Sequence, residues 1–555
     1  MIAKNYYNIN WKQDHQKLLT LQYEILKAFQ AGDKNLVLKK QYELTRSFAA
    51  RAIAIRKITS NKGKNTAGID GIILTTHTQK MEHILKLKNL KNYKTSPVKR
   101  IYISKEDGKS KRPLGIPTMF DRAVQTLFLF AIEPIAEEVS CKRAYGFRIG
   151  KSLHDCAVYL FLTLASMTAT RRFILKADIN KFFDSVSHDW LLENIWMDRK
   201  FLELFLKAGF LELNINYGTE VSFPQGSPIS PALANLALAG LEKFLGKEFL
   251  CTRYADDFVV LGKSRNVLKT IALKKINEFL NIRGLSLNLE KTKIYSVQEG
   301  FNFVGLNFRE YPDKSRIKGT KLGIFIIKPT KEKINSFIRS LRRIVKFYKN
   351  AKTNKQLVIK LNQKLRGFAE HYKRYVAQRV FNFISFKLFR IIYSMLKRKH
   401  RGRNATWLYN KYFCKIENTN WVFCHKINDK IKESIFRISY VKIKRHNINT
   451  AGNPFDPANY ASYKARTKYL TNNIITTSKT KTKLITSQKG ICPVCSTSLL
   501  NNEELHMHHI KPKRLGGSHK VSNLLLLHKD CHKQVEYSTD VSLQAAFVKD
   551  GIIQN

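Results

Sequence analysis

Three acidic residues give the clearest indication of chemistry in this 555-residue sequence. Asp256 and Asp257 lie side by side in the segment Arg253–Val260, which reads Arg-Tyr-Ala-Asp-Asp-Phe-Val-Val. Apolar residues on both sides predict two strands, so the acidic pair falls at or beside a hairpin turn. Asp178 follows a further apolar strand predicted over 173–177. For the pair alone, a turn that simply favours aspartate is the alternative interpretation.

Three converging carboxylates form a ligand set suited to two divalent ions. Two such ions can activate a 3′-hydroxyl and stabilise a leaving pyrophosphate. The Asp…Tyr-x-Asp-Asp pattern resembles the palm of reverse transcriptases. This resemblance implies that Asp178, Asp256 and Asp257 hold two Mg²⁺ ions and are the catalytic residues of an RNA-directed DNA polymerase.

The composition indicates a polyanionic partner. Lysine and arginine number 98 against 42 acidic residues, a formal net charge of +56. The charge runs through the whole length, which argues against a membrane-surface protein with one basic tail and predicts nucleic-acid binding that weakens strongly with salt. The length predicts three or four structural units.

The sequence predicts no membrane association. No apolar run is long enough to span a bilayer, and the first residues lack the apolar core of a signal peptide. Asp14 and Glu24 argue against a transit peptide. Abundant lysine and asparagine suggest an AT-rich genome, so we expect the bacterial cytoplasm, or the mitochondrial or plastid matrix if the gene is organellar.

A basic hairpin is predicted over Arg100–Thr118, where two strands flank an Asp-Gly turn and carry cations on both arms. In reverse transcriptases a fingers hairpin folds over the nucleotide triphosphate. The resemblance implies that Lys105 and Arg112 contact its phosphates. A basic surface hairpin without this role is the alternative.

Two further segments match nucleotide-binding parts of the same family. Phe183, five positions after Asp178, stands at the position of the steric gate, which implies that dNTPs are chosen over ribonucleotides. A phenylalanine of the core is the alternative. The segment Phe223–Pro231 resembles the Pro-Gln-Gly block beneath the template and the incoming nucleotide, with Gln225 and Gly226 as the implied contacts.

The order of these segments narrows the resemblance to one family. Arg143–Ser152 lies before Asp178, and Gly284–Lys293 and Gly300–Leu306 follow the acidic pair. Together the ordered blocks, over roughly residues 66–310, resemble the reverse transcriptases encoded by group II introns.

Three basic amphipathic helices are predicted downstream, with apolar stripes over 334–345, 358–372 and 380–396. Such helices suit a thumb that grips a duplex by its phosphates. A three-helix bundle with a solvated basic face predicts the same pattern. Leu365–Tyr372 resembles the maturase (X) motif of group II intron proteins, which implies binding of intron RNA and assistance in splicing. The next stretch, 401–484, is basic with interleaved aromatic residues, resembles the DNA-binding segment by position, and includes a predicted linker at 476–483.

Near the C-terminus the spacing of soft ligands predicts a structural zinc site. Cys492 and Cys495 form one pair, and His528 and Cys531 form another. Two such pairs favour a tetrahedral Zn²⁺ that holds a small domain together, with a zinc ribbon as the simplest alternative.

Histidines between and beside these ligands indicate a second function. With the cysteines, His508, His509, Asn523 and His532 closely resemble an HNH endonuclease of the ββα-metal type. The resemblance implies that His508 and His532 hold one Mg²⁺ or Mn²⁺ and that His509 is the general base that activates water. It also implies that Asn523 orients the catalytic loop and His509. His506 stands where many relatives carry glutamate.

The sequence therefore predicts a multidomain α+β protein. We expect reverse transcriptase fingers and palm over 1–315, a helical thumb or maturase domain over 325–400, a basic DNA-binding region over 401–484 and an HNH domain over 485–555. The architecture would be a right-hand polymerase joined to a small ββα-metal unit.

The predicted function is that of a group II intron-encoded protein active in retrohoming. It would copy intron RNA with dNTPs, assist splicing, and nick target DNA to supply the primer. Expected partners are the intron RNA, the RNA template with its DNA primer, and the DNA target; the oligomeric state stays open. Two alternatives are a splicing factor with an inactive polymerase, and a retron-like or diversity-generating reverse transcriptase.

Overall fold

The structure, a computed structural model, describes residues 5–104, 110–166, 170–212, 215–218, 225–312, 323–472 and 478–537. Within these ranges the chain forms a mixed α+β fold with several small sheets. No helix in the described part of the chain is both long and apolar enough to cross a membrane.

The described part of the first 245 residues is mainly helical. Their helices and strands are α1 (Trp11–Gln30), α2 (Lys34–Arg46), α3 (Phe48–Ser60), α4 (His77–Lys86), β1 (Val98–Ser104), β2 (Lys111–Ile116), α5 (Met119–Val139), α6 (Leu153–Ala165), β3 (Phe173–Ala177), α7 (Phe182–Ser185), α8 (His188–Asn194), α9 (Arg199–Leu206), β4 (Phe210–Glu212), β5 (Ile215–Tyr217), α10 (Ser230–Ala237) and α11 (Leu241–Leu245). The side chains of Asn10, Asp33 and Ser47 accept backbone N–H groups at the starts of α1, α2 and α3, which explains where these helices begin.

The remaining chain alternates small sheets with helices. Its elements are β6 (Leu250–Tyr254), β7 (Asp257–Gly262), α12 (Arg265–Val267), α13 (Leu273–Asn281), β8 (Lys293–Ser296), β9 (Phe301–Phe303), β10 (Leu306–Tyr311), β11 (Ile324–Pro329), α14 (Lys331–Phe347), α15 (Lys355–Tyr372), α16 (Gln378–Lys399), α17 (Ala405–Tyr412), β12 (Phe413–Ile416), β13 (Thr419–Ile427), β14 (Lys430–Ser434), α18 (Tyr460–Asn472), α19 (Lys479–Ser487), β15 (Leu505–His509), β16 (Leu524–His528) and α20 (Lys529–Tyr537). The three predicted amphipathic helices are confirmed as α14, α15 and α16.

The linker predicted at 476–483 is wrong from residue 479 onward, where the chain forms α19, and residues 476–477 lie outside the described residues. The Ser478 side chain accepts the N–H of Lys481 at the start of this helix. Leu484 and Ile485 then bury their side chains in the core. Polar composition suggested a linker, but a capping residue followed by two anchoring apolar residues is enough for a short helix.

The acidic residues lie on a four-stranded antiparallel sheet with the order β6-β7-β3-β8. Its central strands are buried and rich in β-branched and leucine residues, as expected for strands covered on both faces. The predicted strand over 173–177 is confirmed as β3.

The predicted basic hairpin belongs to a second sheet with the order β2-β1-β4-β5. Strands β1 and β2 pair from Lys99 and Ile116 at one end to Ser104 and Lys111 at the other. Lys105, a predicted phosphate contact in the connecting turn, lies outside the described residues.

Two large apolar clusters hold these elements together. One combines α1–α3, α5 and the central sheet with buried residues of β16 and α20. The other joins α6 and the sheet β11-β10-β9 to helices α14–α17. The C-terminal unit therefore shares a core with the N-terminal helices.

Candidate functional site

The acidic pair lies at the tight turn that joins β6 to β7. Tyr254 pairs with Asp257 in the ladder, so Ala255 and Asp256 form a two-residue turn. Ala255 has a φ of 57°, in the left-handed region that such turns require. Strand pairing therefore fixes both carboxylates at one end of the central sheet.

Asp178 lies beside this pair because of strand register. Strands β3 and β7 are antiparallel neighbours, and Ala177 lies opposite Phe258. The next position along each strand brings Asp178 opposite Asp257. Asp178 Oδ2 also accepts a hydrogen bond from Lys291 Nζ at 3.1 Å. The structure thus brings together the three carboxylates that the sequence singled out.

A buried polar network supports the turn from behind. Arg253 is fully buried and donates to Glu242 Oε1 at 3.2 Å and to Asn235 Oδ1 at 2.9 Å. Asn235 Nδ2 donates to the carbonyl of Gly146 at 3.0 Å. An added Cβ at Gly146 would lie 2.2 Å from the backbone nitrogen of Ala255, so only glycine permits this close approach. The segment around Gly146 therefore serves as a support for the acidic turn.

The pKa values of both carboxyl groups at the turn are raised. Burial is the largest cause of the rise in the pKa of Asp257 to about 6, and the charges of Asp256 and Asp178 add to it. Burial likewise raises the pKa of Asp256, with a further contribution from Asp178 and an opposing one from Arg112. Clustered, partly desolvated carboxylates of this kind fit divalent cations, whose charge relieves the repulsion.

Replacing Asp257 by asparagine is expected to stabilise the fold near neutral pH when no Mg²⁺ is present. A carboxyl with a raised folded pKa stabilises the fold fully below its unfolded pKa, 3.8, and loses this contribution as the pH rises through about 6. The gain from Asp257→Asn, on the order of 1–3 kcal/mol, should therefore be largest at pH 7.5 and shrink towards pH 5. Thermal unfolding of both proteins without added Mg²⁺ measures it. A gain of equal size at both pH values would contradict the assigned cause.

Two of the predicted nucleotide contacts lie against the basic hairpin. The N–H of Gly115 in β2 donates to the carbonyl of Gln225 at 2.7 Å. Gly226 has a φ of 116°, and an added Cβ would lie 2.4 Å from the Gly115 oxygen. Arg112 on the same strand is exposed, and its charge lowers the pKa of Asp256. The structure thus brings this Gln-Gly turn, β2 and the carboxylates into one region.

Phe183 lies in α7, the short helix that follows β3 and Asp178. Its ring centroid is 5.3 Å from that of Phe182, with the rings nearly perpendicular. Phe182 is 3% exposed and belongs to the core, whereas Phe183 is only partly buried. Phe182 therefore fills the core position, and Phe183 packs against the same core while part of its ring stays exposed.

Four soft ligands converge in the C-terminal unit. The ligand atoms of Cys492, Cys495, His528 and Cys531 lie within 4.8 Å of one another, and all four residues are buried. Cys495 Sγ lies 3.3 Å from His528 Nδ1. His528 ends β16 and Cys531 lies in the first turn of α20, so the strand–helix junction brings this pair together. Three thiols and an imidazole at these distances fit a tetrahedral zinc ion.

The ring of His508 on β15 lies edge to face with the ring of His532 on α20, and the ring centroids are 5.3 Å apart. Burial lowers the pKa of both imidazoles, which favours the neutral form that metal ligands require. His532 Nδ1 also lies 3.3 Å from Glu536 Oε2. The strand and the helix therefore present two neutral imidazoles suited to one divalent cation.

His509 and Asn523 occupy the loop side of this unit. His509 Nε2 lies 2.8 Å from His519 Nδ1, and their rings are stacked. Asn523 Oδ1 accepts the N–H of Lys511 at 2.8 Å, while its Nδ2 donates to the carbonyl of Ser518 at 2.7 Å. Asn523 thus closes the loop over 511–518, immediately before His519.

Comparison with known families agrees with this geometry. The N-terminal domain of reverse transcriptase matches residues 6–87, and the reverse transcriptase (RNA-dependent DNA polymerase) family matches 103–308. The maturase-specific domain of group II introns matches 334–413, and the HNH endonuclease family matches 492–538.

Individual proteins with similar sequences point to the same family. Protein YkfC of Escherichia coli is 30% identical over 326 residues, which cover 50% of this chain and 85% of that protein. The group II intron-encoded protein LtrA of Lactococcus lactis is 34% identical over 200 residues, 35% of this chain and 33% of LtrA. The chain belongs to the group II intron-encoded reverse transcriptases with an HNH domain. Maturase-like protein 1 of Euglena gracilis is 26% identical over 349 residues, 61% of this chain and 72% of that protein.

This intron-encoded protein thus combines reverse transcriptase, maturase and HNH endonuclease domains. Its maturase-matched region contains a basic groove of about 800 Å³ between α14 and α16. The groove is lined by Arg342, Lys346, Lys349, Lys387, Arg390, Arg398 and Lys399. A surface with this many cations fits a nucleic-acid backbone.

Several residues of the intron-encoded protein's sites were missed from the sequence. Lys291 pairs with Asp178, Glu536 with His532, and His519 with His509. These side chains are recognised as partners only once the elements that carry them are folded together. Two residues had a local indication: Arg253 stands in the strand that leads to the acidic pair, and Lys291 lies in the block Gly284–Lys293.

Proposed function

We propose that the protein performs target-primed reverse transcription for its own intron. In this process it would nick a DNA target, extend the new 3′ end with dNTPs along the intron RNA, and assist splicing of that RNA in a separate step. The observation that carries the proposal is the convergence of Asp178 with the acidic turn at one end of the central sheet.

We assign the domains as reverse transcriptase fingers and palm over 1–315, helical thumb over 325–400, basic DNA-binding region over 401–484 and HNH unit over 485–555. The central sheet would be the palm of a right-hand polymerase, and the β1–β2 hairpin its fingers. The order β15–β16–α20 supports a ββα-metal unit for the endonuclease.

In the polymerase site, Asp178, Asp256 and Asp257 would hold two Mg²⁺ ions. When bound, these ions activate the primer hydroxyl and stabilise the pyrophosphate that leaves. Arg112, together with Lys105, would bind the nucleotide phosphates. The exposed position of Arg112 on the hairpin, and its electrostatic effect at Asp256, support this role.

The base and sugar of the nucleotide would meet a second set of residues. Gln225 and Gly226 would lie under the template and the incoming nucleotide, where glycine leaves the backbone open to close approach. Phe183 would exclude a 2′-hydroxyl. The ring of Phe183 packs against the core beside Phe182 but is only partly buried, which is compatible with the steric-gate role.

Exchange of Phe183 for valine is expected to admit ribonucleotides. The smaller side chain would leave space for a 2′-hydroxyl, and the discrimination between dNTP and rNTP should fall about 10- to 100-fold, the scale of a loss of a few kcal/mol. Single-nucleotide incorporation with dGTP and rGTP measures it. Phe182→Val is the matched control, since this ring lies in the core and its loss should lower stability without changing the ratio. Unchanged discrimination in Phe183→Val would return this residue to a structural role.

In the endonuclease site, His508 and His532 would hold one Mg²⁺ or Mn²⁺, which when bound stabilises charge on the phosphate that is cleaved. His509 would take a proton from the attacking water as the general base. Asn523 would act by closing the loop before His519, which in turn contacts His509. Cys492, Cys495, His528 and Cys531 would hold a structural Zn²⁺.

The nucleic-acid partners would be the intron RNA, the RNA template with its DNA primer, and the DNA target. The basic groove between α14 and α16 supports phosphate binding by the thumb. We place the activity in the bacterial cytoplasm, or in an organellar matrix if the intron is organellar.

One preparation of the full chain tests the proposal. It should extend a DNA primer on an RNA template and nick supercoiled DNA, both with Mg²⁺, and bind RNA more weakly as salt rises. Nicking of DNA without primer extension would refute the polymerase part of the proposal and support only the endonuclease part.

A further inference from the structure

The endonuclease unit packs directly on the N-terminal helices of the polymerase. Buried residues of β16 and Val535 of α20 belong to the same apolar cluster as α1 and α3. Gln534 Nε2 donates to the carbonyl of Ile9 at 2.8 Å. Tyr7 stacks on Tyr537 with ring centroids 4.7 Å apart. Residues more than 500 positions apart in the chain thus form one interface.

Arg56 of α3 reaches across this interface to the proposed zinc ligands. Its Nη2 lies 3.2 Å from Cys531 Sγ and 3.6 Å from Cys495 Sγ. The same nitrogen lies 3.2 Å from Glu503 Oε2. The guanidinium carbon is 4.8 Å from the ring centroid of Trp11. The Arg56 side chain is 3% exposed, so its charge depends on protein partners rather than on water.

The charge of a loaded zinc cluster matches this arginine. A Zn²⁺ ion held by three thiolates and a neutral imidazole has a net charge of −1, which is spread over the sulfur atoms. Glu503 supplies a second negative charge. Without the metal, no bound cation keeps the cysteines beside Arg56 in the negatively charged thiolate form. A buried cation is strongly destabilising when one of its partners is lost.

A second polar contact connects the same two units without touching a sulfur atom. Lys80 Nζ of α4 lies 3.1 Å from Asp530 Oδ2, and the side chains are only 6% and 10% exposed. The Tyr6 hydroxyl donates to the same oxygen at 3.1 Å. Asp530 directly precedes the ligand Cys531. The contact of Asp530 with Lys80 and Tyr6 therefore also helps to fix the position of the neighbouring ligand, Cys531.

We propose that zinc loading and docking of the endonuclease unit on the polymerase form one coupled equilibrium, linked by Arg56 as a positioning residue. The proposal rests on the structural zinc assigned above. Metal-bound sulfurs attract the buried guanidinium and so favour docking. By thermodynamic reciprocity the docked Arg56 strengthens zinc binding by the same factor. Zinc would thus hold the endonuclease at a fixed place on the polymerase, besides holding its own fold together.

Zinc retention in variants of the full chain tests one side of this coupling. Arg56→Gln should release zinc to a colorimetric chelator about 10- to 100-fold more readily than the wild type, the range for loss of a residue that contacts metal ligands. Arg56→Lys keeps the positive charge, and its zinc release should lie between those of Arg56→Gln and the wild type. Lys57→Gln, an exposed neighbour on the same helix, should retain zinc as the wild type does. Primer extension by all the variants should equal that of the wild type.

Hydrogen exchange, first of the wild type and then of Arg56→Gln, tests the other side of the coupling. Removing zinc should accelerate amide exchange in peptides covering 6–9 and 77–86, which contain none of the zinc ligands yet contact α20. The same removal should change these peptides less in Arg56→Gln, because the link has already been broken.

The outcomes separate the coupling from the zinc site itself. Equal zinc retention by Arg56→Gln and the wild type would overturn the coupling. Amide exchange rates at 6–9 and 77–86 of the wild type that stay the same after zinc removal would also overturn it. In both cases the zinc site would stand. Purified wild type that contains no zinc by elemental analysis would overturn the zinc site and the coupling together.

Discussion

Replacement of Asp256 by asparagine is expected to abolish cDNA synthesis, with a fall in primer extension of at least about 10²–10³-fold, the scale on which loss of one preorganised electrostatic contact slows catalysis. Asp256 lies in a two-residue turn held by the β6–β7 ladder, so the substitution removes the charge while the backbone keeps its path. The neutral amide is a poor ligand for Mg²⁺ in a site built from carboxylates. Extension of a labelled DNA primer on an RNA template, with Mg²⁺ and dNTPs, measures the effect.

Asp189→Asn provides the matched control, because this aspartate is exposed in the first turn of α8. It should extend the primer as the wild type does. Asp256→Asn should also still support splicing of the intron RNA, which would separate the polymerase from the maturase role. Full extension by Asp256→Asn would refute the assignment of the metal ligands. Loss of both splicing and extension would refute the separation of roles.

His509→Ala is expected to eliminate nicking of supercoiled DNA, by about 10²–10⁴-fold, while primer extension stays at the wild-type level. The substitution removes the proposed general base but leaves His508 and His532 to hold the cation. It also leaves the four-ligand cluster intact, since His509 is not among those ligands. Conversion of supercoiled plasmid to the open circular form, followed over time, gives the rate.

The zinc content of the same preparation shows whether the endonuclease unit of the His509→Ala protein is folded. His519→Ala is the informative companion, because His519 contacts His509 at 2.8 Å without being a proposed ligand or base. It should lose less nicking activity than His509→Ala, since a positioning contact is removed while the base remains. Nicking at the wild-type rate by His509→Ala would show that another group activates the water.

Local patterns predicted which groups lie together because these groups are close in sequence or lie at strand ends. The Tyr-x-Asp-Asp turn joins two apolar strands that are adjacent in the chain, so the local pattern predicts it. The left-handed φ of Ala255 is not predicted from its residue type. The cysteine and histidine pairs likewise carry their spacing in the chain, and the structure brings all four together. The linker prediction failed at α19 because composition does not reveal that Leu484 and Ile485 find a buried surface.

The sequence by itself determined the reaction types, the strands that carry the three acidic residues and the basic helices that follow them. Only the tertiary structure decided which charges are buried and what neutralises them. Arg253 is buried against Glu242 and Asn235, and Arg56 meets Cys495 from 439 positions away. Periodicity marks which face of an element is apolar, but it does not encode the partner that covers that face. The pairing of buried charges depends on that partner, because desolvation is tolerated only where an opposite charge is packed alongside.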